Sequence, residues 1–155
     1  MHPGGAVPSR PLSPDRAAEV RLHTWAGTHA SKVVKGTMTR STAVATLSLV
    51  APCRPDLVRS VIDRVRQGSP TAADWPPRSV QLDLLLAVEQ VVLGLRPLTG
   101  PDGVTVEHLT YQDGFGRTRR VLRLRREGVL IRDCLGAAPL ARELDLSTLV
   151  ADTPT

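Results

Sequence analysis

The sequence predicts an α+β fold in which a strand, two helices, a three-stranded antiparallel meander and a short C-terminal helix occupy residues 39–150. Three observations predict it. Residues 42–50 alternate like a strand, two later segments carry helical start and stop signals, and two strand-like runs are joined by a two-residue turn. A chain of 155 residues is long enough for one domain with a hydrophobic core.

The N-terminal segment, residues 1–38, is rich in proline and glycine and has no sustained apolar period, so we expect it to be disordered. Ser13 followed by Pro14 could start one short helix within it. The composition changes at Met38, and Lys35–Thr37 could be encoded by a purine-rich, ribosome-binding-like sequence. A native start at Met38 is therefore an open alternative. Residues 151–155 are also expected to be disordered.

The first ordered segments are a predicted strand and a predicted helix. Residues 42–50 (TAVATLSLV) alternate between two sets of side chains, which predicts a strand with one drier face. Pro55–Gln67 is predicted to be a helix because proline suits its first position and Gly68 follows its end. Its apolar stripe consists of Leu57, Val58, Val61, Ile62 and Val65.

A second and more apolar helix is predicted over Val80–Leu95, capped by Ser79 and ended by Pro97. Its few polar residues are scattered, so we expect it to be the most buried helix. Their presence and its length argue against a membrane span.

The meander comprises a strand at Val104–Gln112 and a hairpin of residues 121–126 and 129–134. Glu127-Gly128 between the hairpin strands suits a type I′ turn, which needs positive φ at both central positions. Two-residue closure predicts Arg126 opposite Val129, Leu124 opposite Ile131, and Arg123 opposite Arg132. The face predicted to pack then carries Leu122, Leu124, Val129 and Ile131.

The predicted pairing of Arg123 with Arg132 is unfavourable because like charges directly opposite each other destabilise a sheet. A carboxylate such as Glu107 or a bound anion would relieve it. Six arginines fall within residues 117–126 without an acid among them, and the net charge is +5. The candidate anion or nucleic-acid site is Arg119, Arg123, Arg125 and Arg132. The simpler interpretation of these arginines is a solvated face at the edge of the sheet. A GC-rich genome would also favour arginine codons and so raise their number.

Several classes of function lack support in the sequence. The four aromatic residues are too few for a base-stacking platform, and no nucleotide-binding, zincin or hydrolase motif is present. We therefore predict no catalytic residues, no metal site and no cofactor. His108 has no ligand-like neighbours on its strand, and Cys53 and Cys134 are expected to be buried small hydrophobes. Without an apolar leader or span, the predicted location is cytoplasmic.

The C-terminal block, residues 116–150, combines the arginine hairpin with a short predicted helix in residues 138–150 of the form LAR-x-x-DL-x-x-L. It resembles the C-terminal part of small uncharacterised actinobacterial proteins. The resemblance covers about 35 of the 155 residues, is structural, and implies no activity.

The sequence therefore favours a small non-catalytic binding or regulatory module with an acidic protein partner. The alternative is a nucleic-acid-binding protein resembling a winged helix, whose basic hairpin would contact phosphates. No membrane association is expected, and the oligomeric state is left open.

Overall fold

Four helices form one layer of the protein and a five-stranded antiparallel sheet forms the other in a computed structural model, described here for residues 13–51, 54–68 and 78–151. This confirms the α+β class. The helices are α1 (Pro14–Val34), α2 (Arg40–Val50), α3 (Pro55–Arg66) and α4 (Arg78–Val92). The strands are β1 (Leu98–Thr99), β2 (Val104–Gln112), β3 (Thr118–Arg126), β4 (Val129–Cys134) and β5 (Val150–Ala151), in the order β4-β3-β2-β1-β5.

The meander is confirmed as β2, β3 and β4, and β1 and β5 extend it. The predicted C-terminal helix is shorter than expected, since α5 covers only Ala137–Ala141. A 3-10 turn at Leu146–Thr148 then leads the chain back to the sheet. Ala151 pairs with Leu98 in β5, so the prediction that the disordered tail begins at residue 151 is wrong at that residue.

The prediction of disorder is wrong for residues 14–34, which form the 21-residue helix α1. The Ser13 side chain caps the helix by accepting a hydrogen bond from the backbone of Arg16, and Pro14 starts it, as the sequence suggested. Its buried residues are Leu22, Ala26, His29 and Ala30. They recur at helical spacing. Because two of them are alanine and one is histidine, their hydrophobicity is low, and the buried face of the helix is hard to detect from the sequence.

The predicted strand at residues 42–50 is instead helix α2, capped by the Thr39 side chain. The helix contacts α1, α4 and β5, and its buried residues lie on several of its sides. Alternation with a period of two therefore does not identify a strand in residues 42–50. Packing against neighbouring elements outweighs the preference of the β-branched residues for a strand. The Thr46 hydroxyl donates to the Thr42 carbonyl at 2.9 Å, which satisfies that polar group within the helix.

The two predicted helices are confirmed as α3 and α4, and each ends earlier than predicted. All five residues of the predicted α3 stripe are buried. In α4 the helix begins at Arg78 and ends at Val92, so Ser79 lies inside it rather than capping it, and Leu93 and Leu95 are exposed.

Ion pairs tie the helices to one another. Arg40 of α2 reaches Asp83 of α4 at 2.6 Å, and Arg59 of α3 reaches Glu89 of α4 at 3.1 Å. Glu19 of α1 accepts from Ser60 and lies 3.4 Å from Arg64 of α3. Arg54, at the start of α3, pairs with both Asp15 and Asp56. Many of the arginines of the helical layer thus serve internal charge balance.

His108 connects the two layers and is a core residue with 3% exposure. Its Nε2 lies 3.2 Å from the Ser48 carbonyl of α2, and because a carbonyl can only accept, Nε2 carries the proton. Nδ1 is buried without a hydrogen-bond partner in the described part of the chain. Burial lowers the pKa of His108 to about 4, so the ring is neutral at physiological pH.

Cys134 is a buried free thiol. Cys53, the leader up to residue 12, the linker at 69–77 and the tail from residue 152 lie outside the described residues.

His108 should make folding stability depend on pH. Its pKa is depressed in the folded protein, so its contribution is full above the ordinary value of about 6.5 and is lost as pH falls toward 4. The expected loss is about 2 kcal/mol of unfolding free energy between pH 7.5 and pH 5. Urea unfolding at both values of pH measures it. His108→Gln keeps a donor for the Ser48 carbonyl and should remove this dependence.

His23→Gln, at an exposed position on α1, is the matched control and should keep the wild-type pH dependence. An unchanged slope in His108→Gln would contradict the assignment.

Candidate functional site

The hairpin of β3 and β4 ends in the expected turn. Glu127 and Gly128 have φ values of 51° and 81°, the positive pair that defines a type I′ turn. Arg126 lies opposite Val129, as predicted. The Gly103 carbonyl accepts from the Glu127 backbone at 2.9 Å, which anchors the turn against the loop before β2.

Beyond the turn the predicted register is wrong, because β4 contains a bulge. Arg125 pairs with Leu130, but Leu124 pairs with Arg132, so Ile131 is an additional residue on β4. The shift by one residue places Arg123 opposite Asp133 instead of Arg132. The predicted like-charge pair does not exist.

Arg123 and Asp133 form a two-pronged ion pair across the strands. Nε donates to Oδ1 at 2.8 Å and Nη2 donates to Oδ2 at 2.9 Å. Hydrogen bonding to Arg123 holds the pKa of Asp133 below its ordinary value, and the same contact raises the pKa of Arg123. Glu107, the expected neutralising acid, lies opposite Arg123 on β2 and adds a weaker electrostatic attraction.

Two other candidate arginines also have carboxylate partners. Arg119 reaches Asp113 at 2.9 Å, and Arg132 reaches Glu143 at 3.0 Å. The Asp113 side chain also accepts from the backbones of Phe115 and Arg117, and these contacts lower its pKa. Both acids lie outside the strands, so cross-strand pairing could not predict that they are partners of these arginines.

The four candidate arginines do not form one surface. Cross-strand pairing puts Arg119, Arg123 and Arg125 on the face opposite the helices, while the bulge turns Arg132 to the face that carries Leu124. Arg125 makes no ion pair within the described part of the chain, and its Nε is buried there without an acceptor. Of the four, Arg125 is thus the one without an ion pair in the described residues, and Asp133 attracts it only through a weaker, longer-range interaction.

A second feature of the hairpin is apolar. Leu122 and Leu124 are buried as predicted, but Val129 and Ile131, assigned to the packing face, are 64% and 46% exposed. Leu130 between them is 53% exposed. These three residues wrap around the tip of β4, the last strand on its side of the sheet. Side chains alternate between the two faces of a strand, so three consecutive aliphatic residues cannot all point toward the core. The sequence therefore contained a signal of this exposure.

The hairpin-tip patch is defined here by these aliphatic residues and the two arginines directly across from them: Arg125, Arg126, Val129, Leu130 and Ile131. Glu127 is the acid of the turn, so the tip keeps a net positive charge. The patch can offer aliphatic contacts beside two arginines that make no ion pair within the described residues.

Comparison of the chain with protein-family models, with curated proteins and with solved structures finds no match. Within residues 13–51, 54–68 and 78–151, no group of three His, Cys, Asp or Glu side chains is placed to hold a metal ion. No described helix is long and apolar enough to cross a membrane.

The Arg123–Asp133 pair should stabilise the hairpin more than the exposed Arg132–Glu143 pair. Asp133→Asn leaves Arg123, whose side chain is 27% exposed, without its carboxylate, whereas Arg132 is 54% exposed and well solvated. We expect the fall in Tm to be about twice that of the matched variant Glu143→Gln. Thermal unfolding by circular dichroism measures both.

The charge-swapped double variant Arg123→Asp/Asp133→Arg should recover part of the lost Tm. Equal effects of Asp133→Asn and Glu143→Gln would show that the register shift contributes no particular stability.

Proposed function

We propose that this protein is a small non-catalytic binding module that docks a protein partner on the hairpin-tip patch. The observation that carries the proposal is the exposure of Val129, Leu130 and Ile131 at the free edge of the sheet. Exposed aliphatic residues grouped at one place, with polar surroundings, are typical of interaction surfaces.

The partner segment is expected to combine aliphatic and acidic residues. Arg125 and Arg126 lie directly across from Leu130 and Val129, and neither makes an ion pair within the described residues. Carboxylates on the partner would complement them, which favours fast association and correct orientation more than raw affinity. Burying the exposed halves of three aliphatic side chains contributes roughly 3 kcal/mol, which suits a weak and reversible complex.

The bulge affects how such a partner would bind. Ile131 interrupts the regular spacing of backbone donors and acceptors along β4, and bulges at sheet edges discourage simple strand addition. The partner is therefore expected to hold the tip through side chains rather than to continue the sheet.

Duplex nucleic acid is the second candidate. It is favoured by Arg117, Arg120, Arg125 and Arg126, whose guanidinium groups make no ion pair within the described residues. It is weakened because Arg119, Arg123 and Arg132 already contact carboxylates. The arginines of α3 that a recognition helix would use, Arg59 and Arg64, pair with Glu89 and Glu19.

The test uses a displayed library of short peptides that mix aliphatic and acidic residues, with binding of selected peptides measured by calorimetry. We expect dissociation constants in the micromolar range. The triple variant Val129→Thr/Leu130→Thr/Ile131→Thr keeps strand preference but removes the aliphatic contacts, so it should weaken binding about tenfold or more. Leu95→Thr, at a site 64% exposed away from the hairpin, is the control and should bind like the wild type.

Failure to select any peptide, or equal binding by the triple variant, contradicts the proposal. A gel shift with random duplex DNA is run alongside. Shifts that weaken steeply between about 50 and 200 mM salt would favour the nucleic-acid function instead.

A further inference from the structure

A groove of about 830 Å³ lies on the helical layer, away from the hairpin-tip patch. Helix α1 forms one wall, the C-terminal segment with Ala137 and Leu146 forms the other, and α2 forms the floor. This volume is within the range of small-molecule sites, roughly 300–1,000 Å³. The apolar residues that line it include Trp25, Met38, Leu49, Val50 and Leu146.

Three of the five hydroxyl groups that line the groove donate within the protein, and that of Ser147 donates to the Asp145 carboxylate at 2.7 Å. Thr28 donates to the Thr24 carbonyl at 3.1 Å, and Thr46 donates to the Thr42 carbonyl at 2.9 Å. Their protons are therefore not available to a ligand. A ligand in this groove would therefore make mainly apolar contacts with the carbon atoms of the lining side chains.

Trp25 is fixed in place by His29. The two rings stack with centroids 5.7 Å apart and an angle of 18° between their planes. His29 is 6% exposed, and its Nδ1 donates to the Trp25 carbonyl at 2.8 Å. Trp25 itself is 42% exposed, so the groove presents a preformed aromatic surface. Preformed surfaces bind with a smaller loss of conformational entropy.

The charged side chains that line the groove have one sign, and the nearby Asp145 carboxylate accepts from the lining Ser147 hydroxyl at 2.7 Å. Arg21 and Lys32 line it, no acid is among its described lining residues, and neither cation makes an ion pair in the described part of the chain. They are eleven positions apart on α1, which is about 16 Å along a helix. An anionic group on an otherwise apolar molecule is thus complementary to the groove.

We infer that the groove binds a fatty acid, with the alkyl chain against Trp25 and Leu49 and the carboxylate paired with Arg21. Arginine is the better carboxylate partner of the two cations because its planar guanidinium group can donate two parallel hydrogen bonds. Lys32 lies about 16 Å farther along α1, too far to pair with the same carboxylate. This site is separate from the hairpin tip and does not depend on the function proposed for it.

The experiment titrates dodecanoate into the full chain carrying Trp75→Phe, so that Trp25 alone reports by fluorescence, and calorimetry gives the stoichiometry. We expect one saturable site with a micromolar dissociation constant. Arg21→Gln should weaken binding about tenfold, since it removes a charge-assisted contact. Arg142→Gln, at an exposed arginine outside the groove, is the matched control and should bind like the parent protein.

Two further measurements make the test specific. Thr28→Trp should fill the groove and abolish binding, with circular dichroism confirming that the variant folds. Dodecanol, which has the same chain without the charge, should bind about tenfold more weakly than dodecanoate. The inference is overturned if dodecanoate does not saturate one site, if Thr28→Trp binds as before, or if dodecanol and dodecanoate bind equally.

Discussion

The single extra residue in β4 determines the chemistry of the hairpin. With Ile131 inserted, Arg123 faces Asp133 and gains two hydrogen bonds, whereas regular pairing would have set it against Arg132. The same shift turns Arg132 toward the helix side, where Glu143 meets it. Ile131 is left exposed at the edge. The charge compensation and the additional exposed residue at the tip thus result from one irregularity, because a shift of one residue exchanges the faces of every residue beyond it.

The helical layer depends on α1. Its buried Leu22, Ala26 and Ala30 pack into the same core as α2 and α4, and its Glu19 contacts Ser60 and Arg64 of α3. Without this helix the groove would lose a wall. The two candidate surfaces of the protein therefore lie on different layers and rest on different parts of the chain.

The arginine content of the chain has mostly a structural role. Arg40, Arg54 and Arg59 link helices through carboxylates, and three of the four candidate hairpin arginines also have acid partners. A dense run of cations in a sequence does not show which of them are compensated, because the acids lie outside the run, on the paired strand, in a neighbouring loop or on another helix. The hairpin-tip patch differs from the rest of the hairpin because exposed aliphatic side chains lie beside Arg125 and Arg126, which make no ion pair within the described residues.

The sequence by itself determined the α+β class, the α3 stripe, the bounds of β2 and the type I′ turn at Glu127-Gly128. These features follow from local periodicity and backbone preferences, which nearby residues control. Only the tertiary structure decided that residues 42–50 are helical, that 14–34 belong to the core, and that Arg123 pairs with Asp133. Residues 42–50 are packed on several sides, α1 buries mainly small side chains, and the bulge shifts the register at a position that the turn residues do not specify. Local sequence encodes none of these packing constraints.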